Sequence, residues 1–308
     1  MKEFEYQKRV MGSEANLSII AEDKAAADAT AHTLFAIAEN EEARFSRFRE
    51  ESELSKLNRE RSRTVSKELM DAILLGRELY RKTGGVFNPL VDISRFGYDA
   101  DIAAVKDTDR AGGKPAPYDI DMESIVIDED AMSVTLQEGQ HFDVGGYMKG
   151  HTAELMAAAA AHCQGVLVNL GGDIYVRGYD AEGKPFVFVV DDPTDSAATI
   201  AFSVTDAGIA TSGSYKRHWK LQGTPFFHIL DKEGTKNPET EILSATVIAP
   251  TGAGSDAFAT AALILGPEAG AAFLEKNGCE YCFIHKDGTH TLSRAFPLVQ
   301  KTELPTYV

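Results

Sequence analysis

Apolar and polar positions alternate along this chain with two periods, and they predict short elements of both kinds. Ala15–Ala21 is an apolar, strand-like run. Asp23 follows where a helix cap belongs, and Ala27, Ala31, Leu34, Phe35 and Ala38 recur at helical spacing, so a helix is expected over about residues 25–44. Glu50–Asn58 is a polar stretch. Ser66 can cap a second helix that keeps Leu69, Ile73 and Tyr80 on one face, and Gly84-Gly85 stop it. Residues 99–119, rich in Asp, Ala, Gly and Pro, read as a surface excursion. Ile125–Ile127 and Ser133–Leu136 form a predicted hairpin around Asp128-Glu129-Asp130. A helix is expected from Gly150 through an alanine-rich stretch to Cys163. Predicted strands then dominate, at Val166–Leu170, Ile174–Arg177, Phe186–Val190, Thr199–Thr205, Phe226–Leu230 and Leu243–Ala249. Ser255 or Asp256 opens a further helix to Leu265. Pro267 suits the first turn of another that ends near Gly278, and Glu280–His285 with Thr289–Leu292 close the chain as a hairpin. No linker or repeat interrupts this order, so the expectation is an α+β chain with one domain over residues 1–308.

Composition narrows the ligand. Hydrophobic residues make up 44% and charged residues 25%, as in globular chains. The net charge of −16 argues against nucleic acid or an anionic membrane as partner. An anionic ligand would need a divalent metal or local lysines to offset that charge. Cys279-Glu-Tyr-Cys282 has redox or zinc spacing, but no second pair completes a site, and its strand-like context favours buried core thiols. Met1–Tyr6 lacks an apolar leader core and no long apolar run appears, so a cytoplasmic chain is expected. Walker, Gly-x-Gly-x-x-Gly, zinc and Gly-x-Ser-x-Gly patterns are all missing, which disfavours the common nucleotide folds and serine hydrolases.

Two glycine-centred segments carry the chemistry, Phe142-Asp143-Val144-Gly145-Gly146-Tyr147-Met148-Lys149-Gly150 and Val166–Tyr175, which contains Asn169, Gly171, Gly172 and Asp173. Glycine lets backbone approach a ligand with its N–H groups free, so a cleft for a large, flat anion such as a nucleotide is expected. The ordinary alternative for Asp143, Asn169 and Asp173 is turn chemistry. Asp256 and Thr260 sit at i and i+4, where a helix aims a carboxylate and a hydroxyl at one point, a hard-oxygen pair suited to magnesium. The alternative is a capping aspartate and a threonine bonded to its own helix. His228 ends an apolar strand as base, ligand contact or core residue, with alternation placing it on the face of Phe226. Thr211-Ser212-Gly213-Ser214-Tyr215 offers hydroxyls or simply a polar turn.

Taken in order, these segments resemble the ApbE family, the FAD:protein FMN transferases. The resemblance runs through Met11-Gly12-Ser13, Phe45-Ser46, Ser52-Glu-Leu-Ser55-Lys-Leu-Asn58, Gly85-Val-Phe87-Asn88-Pro89, Asp143–Gly150, Val168–Tyr175, Ala210–Tyr215, His228-Ile-Leu-Asp231 and Asp256–Thr260. No one motif is diagnostic; their order over about residues 10–266 is. The resemblance implies an ApbE-like α+β fold, mixed sheets flanked by helices with an FAD cleft between two subdomains. It implies Mg²⁺-dependent transfer of FMN from FAD to a Thr or Ser hydroxyl of an acceptor protein, with AMP released. Asp256, Thr260 and the Gly146 carbonyl would hold the metal. His228 and Asp256 would be catalytic. Met11, Phe48, Phe87, Asn88, Asp143, Lys149, Asn169, Gly171, Gly172, Tyr215, His228 and Ile229 would line the FAD cleft.

There are departures from the family pattern. Phe48 stands where relatives often carry tyrosine and Asn88 where aspartate is usual, and the loop Asp231–Pro238 is longer and less regular. The family's acceptor motif, Asp-x-x-(Ser/Thr)-(Gly/Ser)-Ala-(Thr/Ser), does not occur at any Ala-Thr of this chain, so no self-flavinylation is expected. Two other readings stay open: an FAD pyrophosphatase, with water in place of the acceptor, and a non-catalytic flavin binder.

Overall fold

Local capping chemistry sets the helices. Asp23 accepts from the Ala26 N–H at 2.9 Å and Ser66 from the Leu69 N–H at 3.2 Å, starting α1 (Lys24–Phe45) and α3 (Lys67–Lys82). Ser52 caps α2 (Glu53–Glu60), a helix within the stretch read as polar, which buries only Leu54 and Leu57. The other helices are α4 (Ile102–Val105), α5 (Met148–Ala159), α6 (Gly252–Leu265) and α7 (Pro267–Lys276). The strands are β1 (Lys2–Val10), β2 (Ser13–Ala21), β3 (Ser62–Thr64), β4 (Asp109–Arg110), β5 (Val126–Asp128), β6 (Ser133–Thr135), β7 (Gly165–Leu170) and β8 (Asp173–Gly178), then β9 (Phe186–Asp191), β10 (Thr199–Val204), β11 (Ala207–Gly213), β12 (His218–Leu221), β13 (Thr224–Phe227), β14 (Ile242–Ala249), β15 (Glu280–His285) and β16 (His290–Leu292). This computed structural model describes residues 1–100, 102–110, 118–195 and 199–299, so part of the expected 99–119 excursion lies outside the described residues.

An eight-stranded sheet in the order β1-β2-β7-β8-β11-β14-β15-β16 forms the frame. Its pairs are antiparallel, and among the described residues the one parallel pair is β12 with β4 in a small separate sheet. The period of two along β14 sorts the core: Ala245, Val247 and Ala249 face helices α6 and α7, while Ile248 packs with Phe202 and Val190 of the β9–β10 hairpin. Helices α1 and α5 cover the β1-β2-β7 end. Cys279 and Cys282 are core thiols, pushed up to about 11 and about 12 by burial.

Several boundaries differ from the sequence expectations. Helix α5 begins at Met148, before Gly150, and ends before Cys163. Thr251, not Ser255 or Asp256, caps α6 by accepting from the Gly254 N–H at 3.1 Å. Strand β13 stops at Phe227, so alternation does not carry Phe226 and His228 onto one face. Phe226 instead stacks on Phe96, with ring centroids 5.3 Å apart. Among the described residues no helix is long and apolar enough to cross a membrane.

Candidate active site at the glycine turns

A cavity of about 830 Å³, within the size range of small-molecule sites, opens beside the large sheet and is lined by its β7–β8 turn and β11, by α6, and by the loops on either side of the β12–β13 pair. Every residue singled out from the sequence as a metal, flavin or catalytic candidate lines it. Met11, Asn169, Gly171 and Gly172 come from two hairpin turns. Phe87, Asn88, Asp143, Gly146 and Lys149 form a second wall, and Asp256 and Thr260 a third. Tyr215, His228 and Ile229 close the fourth side, with Phe48 half-exposed at the rim.

Turn geometry explains the first wall. Met11 and Gly12 both have positive φ, +55° and +68°, as a two-residue type I′ hairpin between β1 and β2 requires. Gly171 and Gly172 have φ of +68° and +101°, and a Cβ at Gly171 would meet Ser13 at 2.6 Å. Asn169 holds the turn by accepting from the Gly172 N–H at 2.8 Å. Asp143 does the same for the first pair, accepting from the Gly145 N–H at 2.8 Å, and its other oxygen lies 3.5 Å from Arg47. The turn chemistry weighed for these residues is therefore present, and it is what opens the glycine backbones to the cavity. Asn88 donates to the Ile120 carbonyl and accepts from the Leu90 N–H. An aspartate could make only the second bond, which accounts for the amide at this position.

Helix α6 is buried along most of its length and presents Asp256 and Thr260 one turn apart. Thr260 does not bond back to its helix; its hydroxyl meets Ser212 of β11 at 2.9 Å. One Asp256 oxygen is buried without a hydrogen-bond partner, and burial raises the pKa of this carboxyl against the opposing effects of Lys149, Arg217 and a backbone bond from Gly150. A buried carboxylate oxygen left without a proton donor, with a hydroxyl on the same helix face, is a donor set that fits a hard divalent cation. Helices α5 and α6 touch through glycine. A Cβ at Gly150 would lie 2.0 Å from the Gly252 carbonyl, and the Gly252 N–H donates to Glu154 at 2.9 Å.

Cations stand close to Asp256 and His228. Lys149 pairs with Asp173 and is pushed down to about 8, mainly by burial. The backbone N–H of His228 reaches the Arg217 carbonyl at 3.3 Å, and its Nδ1 is buried without a partner. Burial, then the charges of Arg217, Lys149 and Arg47, hold the imidazole down to about 3. It is neutral at ordinary pH. Asn237 clamps the following backbone by bonding both the Phe227 and Ile229 carbonyls, each at 2.7 Å.

Arg47, Tyr98 and Arg217 are among the lining residues that escaped sequence reading. The Arg47 guanidinium lies 4.6 Å from the Phe48 ring centroid and 4.8 Å from that of Tyr98. No sequence signal marks Tyr98 or Arg217.

The model of the ApbE family matches residues 11–283. The FAD:protein FMN transferase of Klebsiella pneumoniae is 27% identical over 303 residues, covering 91% of this chain and 83% of its own. That of Treponema pallidum is 29% identical over 315 residues, covering 93% and 86%. Among solved structures, the apbe protein of Thermotoga maritima superposes with a TM-score of 0.85 at 21% identity, over 96% of this chain and 98% of its own. The flavinyl transferase ApbE of Pseudomonas stutzeri, in its apo form, gives 0.78 at 21% over 96% and 95%. With its ordered motifs gathered around one cavity and a family match over most of its length, the chain belongs to the ApbE family.

Proposed function

We propose that this chain transfers FMN from FAD to a serine or threonine hydroxyl of an acceptor protein, forming a phosphoester and releasing AMP. One arrangement carries this reading. The Asp256 carboxylate with one oxygen unpartnered, the Thr260 hydroxyl, a neutral His228 and the Lys149 and Arg217 cations face a single cavity opened by two glycine turns. The name shared by the relatives, FAD:protein FMN transferase, supports the donor and the product.

Asp256, Thr260 and the Gly146 carbonyl would hold Mg²⁺, an all-oxygen set that suits a hard cation. The bound ion supplies charge neutralisation at the pyrophosphate. The protein's own groups do the rest. Gly171 and Gly172 admit the dinucleotide closely because neither carries a Cβ. Phe48, edge-on to Tyr98 at 6.5 Å, offers the flavin an aromatic face at the rim. His228 takes the proton of the acceptor hydroxyl as its oxygen bonds to the FMN phosphorus. The bond to the AMP phosphate oxygen breaks in line, and AMP leaves with the electron pair. Burial, helped by the cations around it, keeps His228 neutral before substrate arrives. An anionic pyrophosphate among those cations offsets their charge and raises the imidazole's basicity when it is needed.

The test uses the full chain with FAD, Mg²⁺ and a protein bearing the Asp-x-x-(Ser/Thr)-(Gly/Ser)-Ala-(Thr/Ser) motif. Flavin fluorescence on a denaturing gel at the acceptor band, lost with a chelator, is the expected result. AMP release with an unlabelled acceptor would replace this reading by FAD hydrolysis. Neither signal would leave a flavin binder.

A further inference from the structure

We propose that Arg217 is a phosphate-binding catalytic residue of this cavity, gripping the pyrophosphate of the dinucleotide through its guanidinium fork. The inference rests on the FAD reading above and extends it to a residue outside the motifs.

Each other cation lining the cavity has a local partner. Lys149 pairs with Asp173, Arg47 with Asp143 and Arg49 with Glu42, while exposed Lys216 lies over the Tyr215 ring. Arg217 differs. Half-buried in the wall, its side chain makes no hydrogen bond, ion pair or ring contact among the described residues. It is placed by backbone on both sides. Strand β12 begins at the next residue, and the Arg217 carbonyl accepts the His228 N–H. The Arg217 backbone is therefore fixed beside His228, and the charge of its side chain reaches the imidazole.

Its charge acts on three groups of the site, opposing the cationic forms of His228 and Lys149 and favouring the ionised Asp256. Partial burial of an uncompensated cation beside other cations is costly. In a chain of net charge −16, whose cavity is lined by carboxylates as well as cations, a guanidinium left without a carboxylate partner is placed to meet an anionic ligand. The guanidinium presents paired N–H donors that match two oxygens of a phosphoryl group, which an ammonium cannot do. As the bond to AMP breaks, negative charge grows on the leaving phosphate oxygen, and a fixed cation there stabilises that change.

The test compares wild type with Arg217→Ala and Arg217→Lys, using inorganic pyrophosphate and riboflavin as separate probes in calorimetry. For Arg217→Ala, pyrophosphate affinity is expected to fall about ten- to hundredfold. Riboflavin affinity and the emission of Trp219, the sole tryptophan, should stay unchanged. FAD turnover should drop about a hundredfold or more, with partial recovery in Arg217→Lys and on adding guanidinium to the alanine variant. Unchanged pyrophosphate affinity in the alanine variant would overturn the proposal. An equal loss for riboflavin would also overturn it, by showing a structural role. The pyrophosphate measurement requires no turnover, so failure of the flavin-transfer reading registers separately, as a wild type that leaves its acceptor unlabelled.

Discussion

Replacing Gly150 by alanine tests whether the contact between α5 and α6 sets the geometry of the site. The added Cβ would stand 2.0 Å from the Gly252 carbonyl oxygen, where ordinary contact begins at 3.4 Å. The obstacle is backbone, so no side chain can turn aside; the two helices must part by more than about 1 Å. Overpacking of this kind costs about 1–3 kcal/mol and sometimes more. For a chain of 308 residues that lowers Tm by about 2–5 °C. The same displacement moves Lys149, in the first turn of α5, and Gly146, just before it, away from Asp256 and Thr260 on α6. A misplacement near 1 Å costs roughly a hundredfold in rate. Gly252→Ala should behave alike, since its Cβ would meet the Gly150 carbonyl at 2.0 Å. Thermal unfolding and FAD turnover measured on both variants decide the matter. A Gly150→Ala protein with unchanged Tm and full turnover would refute the claim that this contact positions the site.

Asp256→Ala should abolish the chelator-sensitive part of FAD turnover while the protein stays folded; full activity would remove Asp256 as a metal ligand. Asn88→Asp exchanges the donor facing the Ile120 carbonyl for an acceptor, and should cost about 1–3 kcal/mol in denaturant unfolding. An unchanged midpoint would mean that bond contributes nothing. His228 is active when neutral and is held down to about 3, so acid should not remove its contribution until far below its ordinary value. The ratio of wild-type to His228→Ala kcat/KM, which reports the free enzyme, should therefore be flat from pH 8 down to about pH 5; a ratio that collapses near pH 6.5 would contradict the assigned environment. Lys149 is held near 8 and is charged below that pH. FAD affinity, followed by quenching of Trp219 emission, should fall as pH rises through about 8 and persist in Lys149→Arg. Constant affinity into the alkaline range would show that the Lys149 charge does not bind FAD.

The elements legible in the sequence were those with a local signal. Asp23 and Ser66 sit where caps must sit, Pro267 opens its helix, and the apolar runs of β7, β14 and β15 are strands covered on both faces. Strand β1 was not legible because it is an edge strand, mostly exposed and polar along KEFEYQKRV, and is fixed only by pairing with β2. Strand β11 was hidden for the opposite reason. Its glycine, serine and threonine suit a turn, yet it lies between β8 and β14, where small residues let α6 approach. A Cβ at Gly208 would touch the Thr251 carbonyl at 2.7 Å. The site followed the same division. Glycine turns and the Asp256/Thr260 spacing announce themselves along the chain. The role of Arg217 does not, since a lone arginine in sequence looks like surface charge until its lack of a counter-ion is seen in three dimensions.

The central claim is a covalent bond between FMN and a hydroxyl of the acceptor, and the intact mass of the acceptor tests it most directly. After incubation with the chain, FAD and Mg²⁺, the acceptor should gain the mass of one FMN less one water, and an equal amount of AMP should appear. Replacing the motif's terminal Thr or Ser by alanine should abolish the gain. An acceptor of unchanged mass in a reaction that still converts FAD to free FMN and AMP would contradict the account.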